Sequence, residues 1–349
     1  MLLAIQIGLS FLLSAVIVGV TIPIIALVSK EKKLWDSPNY RKVNKIPIPN
    51  LGGVAIFMGV MLSTLLCLHQ LPFTALRYII AATIIMFFTG LKDDILIIAP
   101  STKFIVQTLC ACLLIFLGDI RFTSFHGIFG IDHLNYIVSV LLSLFVIVGL
   151  MNAMNLIDGI DGLAGGLGVM MTAVFGIFFI SFGRYEYAVL SFAIAGAFAS
   201  FLRYNLFGKK NKVFMGDSGS LVLGTLVAIL GIEFNEIALN TPLSATAPIL
   251  STAIVFVPFF DMIRVFFLRI KKRKSPFYPD MCHLHHRFLA LETSHLKISL
   301  IILAINGGVV LLFFFLRMLN VHLLLALLLI MALLLPFSSL LMKIKRGQH

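Results

Sequence analysis

SFLLSAVIVGVTIPIIALV, residues 10–28, carries no charged side chain from Ser10 to Val28. A helix rising about 1.5 Å per residue needs about 20 apolar residues to cross some 30 Å of hydrocarbon. This run therefore predicts a membrane-spanning helix, and similar runs recur along the chain. The whole sequence of 349 residues is 60% hydrophobic and 12% charged, against about 45–50% and about 25% in an ordinary globular domain. So few charges exclude a soluble enzyme, and so much apolar content excludes disorder. Outer-membrane strands alternate apolar and polar residues, whereas these runs are unbroken, so the fold class is all-α: a polytopic helix bundle. The first run lacks a basic segment before it and is long enough to span, so it is expected to remain as a span and not to be a cleaved leader. Cys67, Cys110 and Cys112 lie in apolar runs and Cys282 lies beside histidines. No disulfide framework is expected from them.

Hydropathy places eleven spans at roughly 2–28, 51–69, 76–91, 101–118, 134–152, 163–182, 186–202, 219–235, 246–268, 298–316 and 321–341. An odd count puts the termini on opposite sides, and the basic residues choose which. Of the 27 Lys and Arg residues, only Arg77, Arg121, Arg184 and Arg317 fall on one side. The positive-inside rule then predicts the N-terminus outside and the C-terminus in the cytoplasm. The net charge of +12 suits anionic membrane lipids, and no soluble basic domain exists to bind nucleic acid. The short loops predict one catalytic domain over 1–349, with cytoplasmic loops at 29–50, 92–100, 153–162, 203–218 and 269–297. No internal repeat is visible.

Six acids, Asp93, Asp94, Asp158, Asp161, Asp217 and Asp261, sit near the cytoplasmic ends of predicted spans. Carboxylates at that depth are costly unless paired, hydrated or metal-bound, so they are expected to line one site. In GLKDDI, Asp93 and Asp94 are adjacent and need a cation or a proton between them; a solvated helix end paired with Lys92 would read the same. NAMNLIDGIDGLAGG places Asn152, Asn155, Asp158 and Asp161 at steps of three, which on a helical path brings polar groups to one face. In FMGDSGS, Asp217 and Ser218 stand at a helix entry, where free backbone N–H groups suit phosphate and the carboxylate suits a metal. It reads equally as an ordinary N-cap. PDMCHLHHRF carries His283, His285, His286 and Arg287, donors matched to a diphosphate; zinc would need a second ligand group at a typical spacing, and a solvated basic loop on anionic lipid would read the same. Asp261 with Arg264 is explained about as well by an intrahelical ion pair.

Together, KDD, NAMNLIDGIDGLAGG, FMGDSGS and HLHHR, in this order and on one side, resemble the polyprenyl-phosphate N-acetylhexosamine-1-phosphate transferases. The short His motif resembles the branch that begins O-antigen, enterobacterial common antigen or wall teichoic acid synthesis. The resemblance implies that a UDP-N-acetylhexosamine, most simply UDP-GlcNAc, and undecaprenyl phosphate give undecaprenyl-diphospho-N-acetylhexosamine and UMP. It also implies Mg²⁺ or Mn²⁺, a homodimer, and residence in the cytoplasmic membrane with the site facing the cytoplasm. Under it Asp217, with Asp94 and Asp161, holds the metal, and Asp93 and Asp94 stand at the lipid phosphate with Asp93 as base. Asn152, Asn155, Asp158 and Asp161 meet the nucleotide sugar, and Lys45 and Lys103 meet the polyprenyl phosphate. His283, His285, His286 and Arg287 cover the diphosphate and sugar. RKVN and PNLGG depart from the family's usual RKVH and PRLGG, so Asn44 and Asn50 replace more basic side chains.

A transporter or flippase for a lipid-linked anion would place charges near the midplane and show paired broken helices. Here the outer half reads as nearly free of acids, and the ionisable residues crowd one rim. A structural zinc-bearing scaffold is the other competing class.

Overall fold

A computed structural model describes residues 2–32, 34, 48–68, 73–273, 282–290 and 294–337. Lys45 and Asn44 lie outside the described residues. The described chain is helical, with one isolated bridge, Ser124 to His133. The helices are α1 (Leu2–Glu31), α2 (Gly52–Cys67), α3 (Leu76–Ile95), α4 (Pro100–Cys112, continued by a π turn to Leu117) and α5 (Tyr136–Ile157). Then come α6 (Leu163–Ser181), α7 (Tyr185–Phe207), α8 (Gly216–Ala238), α9 (Ala247–Ile254), α10 (Phe256–Lys271), α11 (Leu284–Leu289), α12 (His295–Leu316) and α13 (Val321–Leu334).

Among the described residues, seven helices are long and apolar enough to cross a membrane, or eight if the bent pair α9–α10 is one span. The protein is thus a multi-pass membrane protein. The remaining expected spans coincide with α2 and α13, which are shorter apolar helices, and with α3, whose last turn carries Lys92, Asp93 and Asp94. Three predicted loops prove shorter than expected, because α3, α5 and α7 continue to Ile95, Ile157 and Phe207.

α8 is the central helix. Every residue from Ser218 to Leu230 is buried, as expected for a helix that is apolar all round. It packs against α2, α3, α5, α6 and α9. α1 lies at the periphery against α7 and α2, and its other flank exposes Leu9, Leu12, Val16, Val20 and Ile24. Such a flank is stable only against lipid. On α3, a Cβ at Gly90 would come within 2.5 Å of the Asp217 carbonyl and the Ser218 Cα. Only glycine lets the end of α3 lie so close to the start of α8, and this contact sets the site.

The predicted straight span over 246–268 is instead broken. α9 and α10 meet at 72°, with Val255 between them. Pro258 has no N–H to give the Ile254 carbonyl one turn back, so the helix cannot continue there unsupported. Asn306 of α12 bridges the gap: its Nδ2 donates to the Ile254 carbonyl at 2.9 Å and its Oδ1 accepts from the Val257 N–H at 2.8 Å.

The opposite end of the bundle also differs from expectation, because it is not nearly free of acids. Glu186 pairs with Arg184 at 2.6 Å, and Glu236 accepts from the Thr123 N–H at 2.8 Å and its hydroxyl at 2.6 Å. Glu186 stands in the first turn of α7, and Glu236, in the last turn of α8, ties down the loop that leads into α5.

Candidate functional site

The entry of α8 lies where α3, α4 and α5 converge. Asp94, one turn beyond Gly90, turns its carboxylate onto the first turn of α8. Oδ1 accepts from the Asp217 N–H at 2.8 Å, while Oδ2 accepts from the Ser218 N–H at 3.0 Å and the Ser218 hydroxyl at 2.7 Å. A carboxylate from a neighbouring helix therefore caps α8 and complements its dipole. The N–H groups expected to be free for phosphate are already taken by Asp94.

Asp93 points the other way. Its carboxylate accepts from the Ile98 N–H at 2.5 Å and pairs with Lys103 at 2.5 Å. Lys103, on the first turn of α4, also pairs with Asp217, so one ammonium joins two carboxylates. Asp217 accepts from Asn155 Nδ2 at 2.8 Å, and the same Nδ2 reaches the Ser220 hydroxyl at 3.0 Å. The predicted run of polar residues at steps of three divides between several partners. Asn155 faces Asp217, whereas Asn152 donates to Gln107 at 2.8 Å and to the Val148 carbonyl at 2.8 Å.

Asp158, just past the end of α5, makes no hydrogen bond or ion pair with another described residue. Burial, then the negative charges of Asp217, Asp94 and Asp161, push its carboxyl well above the usual carboxylate range. Asp161 is differently placed. Its Oδ2 meets Lys212 at 2.7 Å and His295 Nδ1 at 3.0 Å, and its backbone carbonyl accepts from Ser299 at 2.8 Å. Burial opposes its charge, but the bonds to His295 and Lys212 outweigh that and hold its carboxyl below the usual range.

The His loop reaches this region from the other side. His283 Nδ1 lies 3.0 Å from Asp261, and His285 packs so closely on Gly159, between Asp158 and Asp161, that a Cβ there would strike its ring. The rings of His285 and His286 are 4.1 Å apart. Both nitrogens of buried His285 lack a partner among the described residues. Burial, then the charges of His286 and His283, push its pKa down to about 3, so it stays neutral near pH 7. Arg287 is partly exposed beside it.

The three acids expected to hold a metal do not converge. Among the described residues no group of three His, Cys, Asp or Glu side chains is arranged as ligands. Asp94 is bonded to α8 and Asp161 to Lys212 and His295, while Asp217 faces Lys103 and Asn155. The donor chemistry nevertheless fits a hard divalent cation. Among the described residues Asp158 stands unpaired, with the like charge of Asp217 nearby, and carboxylate and amide oxygens are what Mg²⁺ or Mn²⁺ takes. Gln107, Lys212, Ser220, His295 and Ser299 were not singled out from the sequence. Their partners lie 45 to 138 positions away in all five cases.

An undecaprenyl-phosphate alpha-N-acetylglucosaminyl 1-phosphate transferase of Haemophilus influenzae is 36% identical to this chain over 261 residues, 72% of this chain and 71% of that protein. The protein of the same name from Escherichia coli K12 is 31% identical over 281 residues, 79% of this chain and 75% of its own length. The sequence model of glycosyl transferase family 4 matches residues 76–235. The chain belongs to this family. The stretch matching glycosyl transferase family 4 opens with α3 and closes within α8. It contains Asp93, Asp94, Lys103, Asn155, Asp158, Asp161 and Asp217, while the His loop lies beyond it.

Proposed function

We propose that this protein transfers GlcNAc 1-phosphate from UDP-GlcNAc to undecaprenyl phosphate and releases UMP, as the first membrane step of a cell-envelope polysaccharide. The observation that carries the reading is the joining of Asp93, Lys103, Asp217 and Asn155 at the half-buried entry of α8, at one end of an apolar bundle. In this proposal eleven spans place the N-terminus outside, and the site opens to the cytoplasm at the inner membrane. The nucleotide sugar arrives from water while the polyprenyl chain stays among the helices.

An oxygen of the lipid phosphate attacks the β-phosphorus of UDP-GlcNAc directly. The bond from that phosphorus to the bridging oxygen breaks, and its electron pair leaves with UMP. Reactions of this type are limited by positioning and charge. Lys103 offsets the charge of the two approaching anions, and Asp93 orients the lipid phosphate and takes a residual proton where one is present. Asp217 and Asp158, with the amide oxygen of Asn155, would hold Mg²⁺ or Mn²⁺, which supplies charge neutralisation at the diphosphate. Asp94 fixes the backbone of Asp217. Lys212 and His295 fix Asp161, and with it the loop that receives the nucleotide sugar. His285, His286 and Arg287 cover the diphosphate and sugar from the other side.

Purified protein with radiolabelled UDP-GlcNAc, undecaprenyl phosphate and Mg²⁺ is expected to form a butanol-extractable product and UMP, and EDTA is expected to abolish both. Product with UDP-GalNAc alone would change the sugar. Failure with every UDP-N-acetylhexosamine would overturn the transferase and favour a transporter. In the same assay Gly159→Ala is expected to fold, because Gly159 is exposed. Its added methyl must push His285 away, so activity should fall about tenfold, an overpacking cost of about 1–3 kcal/mol spent at the loop contact. Unchanged activity would separate the His loop from the reaction.

A further inference from the structure

We propose that Asp261 is a positioning residue that docks the His loop against the Asp158–Asp161 loop, an inference that rests on the transferase reading. An ion pair between Asp261 and Arg264 three residues on would need no loop. Here the same carboxylate serves more partners. Arg264 reaches its Oδ1 at 2.6 Å through Nη2 and 3.2 Å through Nε. His283 Nδ1 lies 3.0 Å from its Oδ2, and the Leu284 N–H reaches Oδ1 and Oδ2 at 3.2 and 3.1 Å.

Asp261 is 3% exposed and His283 4% exposed, so these bonds form away from bulk water, where an unmatched polar group is costly. Arg264 adds a second tie, because its Nη2 also donates to the Cys282 carbonyl at 2.7 Å. The two side chains of α10 thereby hold three consecutive residues, Cys282, His283 and Leu284, at the point where the chain enters α11. A carboxylate accepting the first N–H of so short a helix does the work of a cap that α11 lacks, since its own N-cap position, His283, makes no side-chain cap bond.

The bond from His283 Nδ1 also sets that ring. With Nδ1 donating to the carboxylate, Nε2 is left to accept, and Arg269 Nη2 lies 3.4 Å from it. Two residues on, His285 then lands on Gly159. The bend at Val255 is what brings Asp261 to this place, because α10 leaves the line of α9 by 72°. Among the described residues Asp261 bonds to none of Asp93, Asp94, Lys103, Asn155 and Asp217, so its effect on the reaction runs through the loop it holds.

The test is Asp261→Asn in the full-length protein, with two readouts. Cys282 is labelled with a maleimide and quantified by peptide mass spectrometry, which reports docking whether or not the protein is a transferase. KM and kcat are then measured separately for UDP-GlcNAc and undecaprenyl phosphate. Docking by Asp261 predicts several-fold faster labelling and a KM for UDP-GlcNAc raised about tenfold, the size of one lost polar contact. The KM for undecaprenyl phosphate should not move. Arg264→Lys keeps the ion pair but loses the second tie to Cys282, so it should shift both readouts in the same direction and serves where Asp261→Asn fails to fold. Unchanged labelling would overturn docking. Faster labelling with an unchanged KM for UDP-GlcNAc would overturn the positioning role while leaving the transferase intact, whereas absence of activity in the unsubstituted protein would strike the transferase reading alone.

Discussion

Asp217→Asn is expected to lower kcat about a thousandfold, about 4 kcal/mol at the transition state, without unfolding the protein. The fold is spared because α8 is capped through the backbone N–H of Asp217, which Asp94 accepts, and not through the Asp217 side chain. The substitution keeps the side chain's shape and removes its charge. Its new amide would face either the ammonium of Lys103 or Nδ2 of Asn155, both donors, so one pairing becomes donor against donor. The remaining Asp158 would hold a divalent ion with one charge fewer, so the Mg²⁺ concentration for half-maximal activity should rise as well. The check is kcat at saturating substrates across a Mg²⁺ titration, with thermal stability measured alongside. Full activity would remove Asp217 from the reaction. Asp94→Asn makes the informative contrast: that carboxylate accepts three bonds at the α8 entry, so stability and activity should fall together.

The division between what the sequence revealed and what it hid follows from the range of the forces. A bilayer demands long unbroken apolar helices, and that demand is written locally, so Ser10 to Val28 could be recognised without knowing any partner. The site acids were visible for a related reason: a carboxylate such as Asp217 at the end of an apolar run is costly enough to require a use. Their individual uses were not visible. Asp93 and Asp94 are neighbours in sequence yet meet different helices, one joining Lys103 and the other capping α8. Steps of three would set Asn152 through Asp161 on one helical face, but the helix stops at Ile157. Past that point the periodicity no longer governs direction, which lets Asp161 turn to His295, 134 positions away. Asp261 posed the same problem, since Arg264 alone satisfied the local pattern and nothing local pointed to His283.

The break between α9 and α10 is the longest-range feature of all, and it leads to the largest expected effect on stability. Pro258 removes one backbone donor, which orphans the Ile254 carbonyl, and the bend leaves the Val257 N–H without a partner one turn back. Asn306, fully buried in α12, satisfies both with its one amide. No aliphatic side chain does this. Asn306→Leu fills similar space, excludes water and leaves two buried backbone groups unmatched, at about 1–3 kcal/mol each. Asn306→Ala leaves the same groups unmatched but opens room for a water to bridge them. The order of stability in detergent should therefore be Asn, then Ala, then Leu, read as the temperature at which half the protein is lost from the monodisperse peak in size-exclusion chromatography. Activity should follow the same order, because α10 carries Asp261 and through it the His loop. If Asn306→Leu proved as stable as the original, packing alone would hold the bend, and the amide bridge would then be a consequence of the break instead of its support.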